Sequence, residues 1–222
     1  MTDYRLVRAR RKSIAIQVKN AEVVVRAPLR ASKTEIDRFV WEKRAWIERH
    51  LLAQQRTVEQ RESFTLGYGS RVLLCGREYP IVAAEGRVGF DGRVFRLPEN
   101  LDSTQIKTLM VQVYRMVAET LLPERTRHFA QLMRVRPSAV RVTAAKTRWG
   151  SCSGKNSINY SWRLVLAAED VIDYVVVHEL AHIKEHNHSS RFWRIVEDML
   201  PDYRARKKQL RVLQERLSAE GW

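Results

Sequence analysis

The run His178-Glu179-Leu180-Ala181-His182, followed after five residues by His188, has the residue types and spacing of a metal site with a base beside it. On a helix of about 3.6 residues per turn, positions i and i+4 lie roughly 40° apart, so the imidazoles of His178 and His182 project side by side toward one ion. Glu179 sits one step round, on the flank of that ion. In an HExxH helix this carboxylate is not a ligand. It takes a proton from metal-bound water, whose pKa a zinc ion lowers to ~7.

A short pattern of this kind also occurs on ordinary solvated helices, so its neighbours decide the matter. Val171, Ile172, Tyr174, Val175, Val176, Val177, Leu180, Ala181 and Ile183 point in every direction round the helix axis, and a helix that is apolar all round is a buried one. A buried glutamate between two buried histidines needs partners. Leaving each unsatisfied would cost roughly 1 to 3 kcal/mol, and a shared cation satisfies all of them.

A catalytic zinc site wants a third protein ligand and one open position. His186, His188 and Glu197 are the candidates downstream. Asn187 tolerates the left-handed conformation that ends helices, and Ser189 or Ser190 can cap a following one, so the chain is expected to reverse between Asn187 and Ser190. That puts His188 in the turn, able to point back. His186 is expected to remain on the first helix, too far along its axis. Glu197 falls off the apolar stripe formed by Phe192, Ile195, Val196 and Met199 and reads as solvent-exposed. His188 is the expected third ligand.

Further groups lie upstream in Arg148-Trp149-Gly150-Ser151-Cys152 and in the strand that follows. Arg148 could stabilise an oxyanion or bind phosphate, Trp149 could pack on substrate, and Tyr160 could donate a hydrogen bond to it. Equally, Trp149 could be a core plug and Arg148 an ion-pair partner. Cys152 is a poor candidate nucleophile, because the histidines that could activate it are engaged by metal.

These groups must be carried by a chain of 222 residues, enough for one domain or two packed lobes. The pattern divides it at residues 1–100 and 101–222. In the first part, Ile14, Ile16 and Val18 alternate, Lys19-Asn20-Ala21 breaks the run, and Val23 and Val25 resume it, a β-hairpin ended by Pro28. Ser32 and Glu35 open one helix through Ile36, Phe39, Val40, Ile47 and Leu51, and the polar run Gln54 to Glu62 reads as a linker. Short β-prone pieces from Phe64 to Leu97, separated by glycines, read as an antiparallel meander.

The second part opens with a helix from near Ser103 to Met133, interrupted by Pro123. Strands at Val140–Thr143 and Ser157–Leu166 are expected to pair antiparallel and to feed into the metal helix as a shelf, to whose edge an extended peptide could add. The fold class expected is therefore α+β: an antiparallel β-rich N-terminal lobe with one helix, and a helical, zincin-like C-terminal lobe with a short antiparallel sheet and an HExxH helix.

Forty Lys and Arg face 25 Asp and Glu, a formal charge of +15. Such a balance favours an anionic partner, although the cations are spread from Arg5 to Arg216 and also suit a plain basic surface. Cys75 and Cys152 are too few for a four-cysteine zinc module, and reduced thiols are expected. No apolar run approaches the ~18 residues a membrane helix needs, and no hydrophobic region follows the charged start, so no membrane partner and a cytoplasmic location are expected.

Taken with Asp173-Tyr174-Val175-Val176-Val177 before the first histidine, Asn187-His188-Ser189 and Phe192-Trp193, the sequence resembles the YgjP-like metallopeptidase family, a minigluzincin-like group related to SprT-type domains. Arg10 to Lys12, Arg26-Ala27-Pro28 and Trp46-Ile47 extend the resemblance over nearly the whole chain. It implies a zinc-dependent hydrolase with His178, His182 and His188 as ligands and Glu179 as base. A peptide or protein is the substrate implied. Members of the group have also been assigned to nucleotide pyrophosphate hydrolysis, so a nucleotide is the alternative, and fold alone does not choose. A non-catalytic nucleic-acid-binding metalloprotein is the remaining reading, weakened by Glu179, which a structural site would not need. SprT-type relatives often carry a separate zinc-binding or DNA-binding extension; none follows in this sequence, which weakens the expectation of a DNA-repair role.

Overall fold

The computed structural model of the protein describes residues 3–19, 22–86 and 88–222. They form six α-helices and three small mixed sheets, an α+β architecture, and fall into two compact units: Met1–Phe64 with Ser218–Gly221, and Thr65–Leu217 with Trp222. No described helix is long and apolar enough to cross a membrane.

In the first unit β1 (Arg5–Ala9), β2 (Ala15–Lys19) and β3 (Glu22–Pro28) lie in the order β1-β3-β2. β2 and β3 pair antiparallel with Ile16 opposite Val25, as their alternation requires. Asn20 and Ala21, read as the break between them, lie outside the described residues. The expected sheet is antiparallel, but β1 pairs parallel to β3, with Leu6 opposite Val25. Alternation misses β1 because Leu6 and Val7 are adjacent and Arg8 is drawn off to the carbonyls of Pro28, Leu29 and Ala31.

Two helices, not one, cover this sheet. α1 (Lys33–Glu42) starts at Ser32, whose hydroxyl accepts the Glu35 N–H at 3.1 Å, and stops at Lys43, whose N–H is shared between the Phe39 and Val40 carbonyls. α2 (Arg44–Ser63) then runs through Gln54 to Glu62, correcting the linker reading. Polarity is not a helix breaker: the segment lacks Gly and Pro, is rich in Gln, Arg and Glu, and gains a Gln55–Glu59 bond one turn apart. Val23, Val25, Ala27, Ile36, Val40 and Ile47 form the core.

The second unit opens with β4 (Arg71–Leu74), β5 (Arg77–Ala83), β6 (Gly89–Phe90) and β7 (Phe95–Leu97), ordered β4-β5-β7-β6. This is no meander, because β7 runs parallel to β5, Ile81 opposite Phe95. Asp91 accepts the N–H groups of Arg93 and Val94, and that tight turn folds β6 to the outside of β7. α3 (Ser103–Leu132) begins at a reciprocal Asp102–Gln105 cap and continues through Pro123. Ile106, Met110, Val113, Tyr114, Ala118, Leu122 and Thr126 form its buried face.

β8 (Ala139–Thr143), β9 (Gly150–Cys152) and β10 (Ser157–Ser161) follow, ordered β8-β10-β9. The expected antiparallel pairing of residues 140–143 with 157–166 is replaced by a parallel one, Val140 opposite Ile158, and the antiparallel partner of β10 is β9. Strand character ends at Ser161, since Trp162–Leu166 wind into a buried 3-10 turn. β10 is therefore central, and the edges of the sheet are β8 and β9. α4 (Glu169–Lys184), α5 (Ser190–Met199) and α6 (Tyr203–Ala219) complete the chain. α4 packs against α3, α5 and β9, which accounts for its apolar residues all round.

Candidate metal centre

α4 carries His178 and His182 one turn apart, and their ring centroids are 5.0 Å from each other. The helix ends at Lys184, sooner than expected, so His186 lies beyond it, exposed and outside the cluster. The reversal needs no left-handed residue. Instead the Asn187 side chain accepts the Ser189 N–H at 3.1 Å, and the Ser189 hydroxyl accepts the Phe192 N–H to start α5. His188 is thereby turned back, and His178, His182 and His188 each present a ligand atom within 4.8 Å of the others. Glu197, ion-paired to Arg204 at 3.2 Å, is not among them.

The donor set fits a divalent transition-metal ion. The Nε2 atoms of His178 and His188 face each other at 3.0 Å, close enough for one ion to take both as ligands. His182 Nδ1 lies 3.2 Å from the Glu185 carbonyl, which can only accept; the proton is on Nδ1, and Nε2 keeps its lone pair. Burial first, then His182, His188 and Lys207, push the His178 imidazole down to about 3, and burial likewise lowers His182. Neutral imidazoles are what a metal ion needs. Phe192, fully buried, packs against both rings, 4.5 Å from His182 and 4.7 Å from His188, while Trp193 stacks on His188.

Glu179 is 5% exposed, and burial raises its carboxyl to about 7 against a counter-pull from Arg148. Its neighbour across the interface is Gly150 of β9. A Cβ at that position would lie 2.6 Å from Glu179 Oε1 and 2.7 Å from its Cγ, so only glycine allows helix and strand to approach this closely. Glycine inside a strand pattern is itself a signal of close approach, one obscured here by the Arg and Trp beside it.

β9 also exposes backbone to this site. Ser161 N–H donates to the Trp149 carbonyl and Ser153 N–H to the Ser157 carbonyl, so Trp149, Ser151 and Ser153 face β10. By antiparallel alternation, the N–H and C=O groups of Gly150 and Cys152 face the open edge. Arg148 is exposed and Trp149 half-buried at the entry to this strand. Tyr160 is not with them. It is 0% exposed, and its hydroxyl accepts from Thr126 at 3.1 Å, so it is a core residue and its expected contact with substrate does not form. The Cys152 thiol is raised by burial and by Glu179, the opposite of an activated nucleophile.

The chain matches the profile of the YgjP-like family, metallopeptidase domain, over residues 12–212. Among solved structures it is similar to the metallopeptidase zymogen abylysin of Pyrococcus abyssi, at 27% identity and a TM-score of 0.38 over 43% of this chain and 94% of that one. It is also similar to the zymogen jannalysin of Methanocaldococcus jannaschii, at 19% identity and a TM-score of 0.37 over 42% and 95%. No curated protein matches it.

Proposed function

Since the chain belongs to the YgjP-like family of metallopeptidase domains, we propose that it is a zinc-dependent peptidase that cleaves peptide bonds with Glu179 as general base. One observation carries this reading: three converging imidazoles lie beside a buried carboxylate that touches an open strand edge. His178, His182 and His188 would hold the ion. Zn2+ bound there would supply Lewis acidity toward the scissile carbonyl and the attacking water.

The chain's own residues do the rest. A peptide laid along β9 bonds to the outward N–H and C=O groups of Gly150 and Cys152, which sets its register beside Glu179. Glu179 takes a proton from the attacking water on its carboxylate and returns it to the leaving amide nitrogen. An ordinary value of 4.5 raised to about 7 suits a group that must both accept and release that proton. Phe192 and Trp193 hold the imidazoles in place against their own rotation.

Zinc-loaded protein assayed side by side on a panel of denatured proteins and on nucleoside triphosphates tests the proposal. Peptide fragments should appear, abolished by a chelator and restored by zinc, and pyrophosphate should not. Pyrophosphate release without proteolysis would replace this reading with the nucleotide one.

A further inference from the structure

A cavity of about 290 Å³ opens beside β9, between the sheet and the loop that joins β8 to β9. Strand alternation puts Ser151, Asn159 and Ser161 on its side of the sheet and Gly150, Ile158 and Tyr160 on the other. The backbone of Gly150 belongs to both: it lines the cavity and it touches Glu179. A ligand in the cavity is therefore one strand's thickness from the candidate base.

The walls have a definite chemistry. Thr143 and Ser161 spend their hydroxyl protons on the carbonyls of Tyr160 and Ala145, at 3.2 and 2.7 Å, and so hold the loop. Three polar groups are left over. The Arg148 guanidinium, the Ser151 hydroxyl and the Asn159 carboxamide make no hydrogen bond or ion pair among the described residues. Arg148 is the one charged side chain among the described lining residues; the carboxylate it feels, Glu179, makes no ion pair with it and lies against Gly150 outside the cavity lining. A guanidinium with two neutral donors beside it recognises a carboxylate, which it can grip with paired hydrogen bonds.

A peptide paired along β9 turns successive side chains to opposite faces of the sheet, so every second one meets the Ser151 face. We propose that this cavity is a carboxylate subsite, by which the protein selects peptides bearing a carboxylate close to the cleaved bond. The inference rests on the metallopeptidase reading and adds its substrate class. That carboxylate comes either from an Asp or Glu side chain or from the peptide's C-terminus.

Three versions of one peptide separate these sources: Glu with an amidated C-terminus, Gln with an amidated C-terminus, and Gln with a free C-terminus. Cleavage is read as kcat/KM on zinc-loaded protein, and binding as a calorimetric Kd on zinc-loaded Glu179→Gln protein. Either the first or the third peptide should be preferred over the second by about 10-fold or more in both measurements. A preference for the first assigns a side chain, and for the third the C-terminus. The ratio should fall to about one in Arg148→Ala, whatever that change does to the absolute rate, and in Arg148→Glu a Lys version should overtake the Glu version. A wild-type ratio near one, or a ratio unchanged by Arg148→Ala, overturns the subsite while peptide cleavage stands. Carboxylate-selective binding without cleavage of any peptide sinks the peptidase reading and keeps the subsite. A nucleoside triphosphate that binds more tightly than every peptide, and loses that binding in Arg148→Ala, gives the cavity to phosphate and overturns the proposal.

Discussion

Gly150 and Glu179 are in direct contact, and the absence of a side chain at 150 is what makes room for the carboxylate: a Cβ there would lie 2.6 Å from Oε1 and 2.9 Å from Cδ. The strand edge and the candidate base are thus set against each other by one residue. Such a Cβ overlaps a buried group, so it must move the carboxyl rather than be absorbed by solvent.

Gly150→Ala should therefore act on Glu179 and spare the histidines. We expect kcat on a peptide substrate to fall by roughly 10- to 100-fold, in keeping with a misplaced catalytic group, with zinc stoichiometry unchanged. Loss of zinc together with activity would mean that the contact supports the metal site as a whole.

The two histidines after α4 should separate cleanly. His188 lies with His178 and His182, whereas His186 is exposed outside the group. Zinc affinity, measured by competition with a chelator, should drop by orders of magnitude in His188→Ala and stay within a few-fold of wild type in His186→Ala. Equal losses in both would contradict the assignment.

Burial of Glu179 also predicts a pH dependence in chelator-treated protein. Its folded value of about 7 lies above the ordinary 4.5, so the folded state binds this proton more tightly than the unfolded chain does. Stability from this group is therefore greatest below about pH 4.5, falls as the pH rises to about 7, and is level beyond. A difference of this size corresponds to an upper bound on the order of 3 kcal/mol. Denaturant titrations of metal-free wild type and Glu179→Gln should show the advantage of the Gln variant growing across that window. A difference independent of pH would contradict the buried, protonated carboxyl.

Legibility in the sequence followed the range of each interaction. The histidine pair, the buried character of α4 and the turn that brings back His188 depend on neighbours within a few residues, and spacing with capping chemistry expresses them directly. Strand order does not. Whether Ser157–Ser161 lies at an edge or in the centre depends on where β8 and β9 pair, and the parallel β1–β3, β5–β7 and β8–β10 pairings join segments whose local patterns carry no direction. The expected substrate edge accordingly moves from residues 157–166 to Gly150–Cys152. The burial of Tyr160 is hidden from the sequence for the same reason, since the face of a central strand that it occupies is set by packing on Thr126 of α3. Gln54 to Glu62 shows the converse error, polarity taken for a break where helix propensity prevailed.

If the histidines hold zinc while Glu179 moves the proton, both roles can be read in a single sample of Glu179→Gln. Zinc content by elemental analysis and peptide hydrolysis should be measured on the same preparation, beside wild type and His178→Ala. One zinc per chain is expected, as in wild type, with hydrolysis reduced by ~10² to 10⁴. Zinc content falling to that of His178→Ala would make Glu179 a ligand, and wild-type hydrolysis in Glu179→Gln would remove it from the reaction; either result contradicts its role as the base.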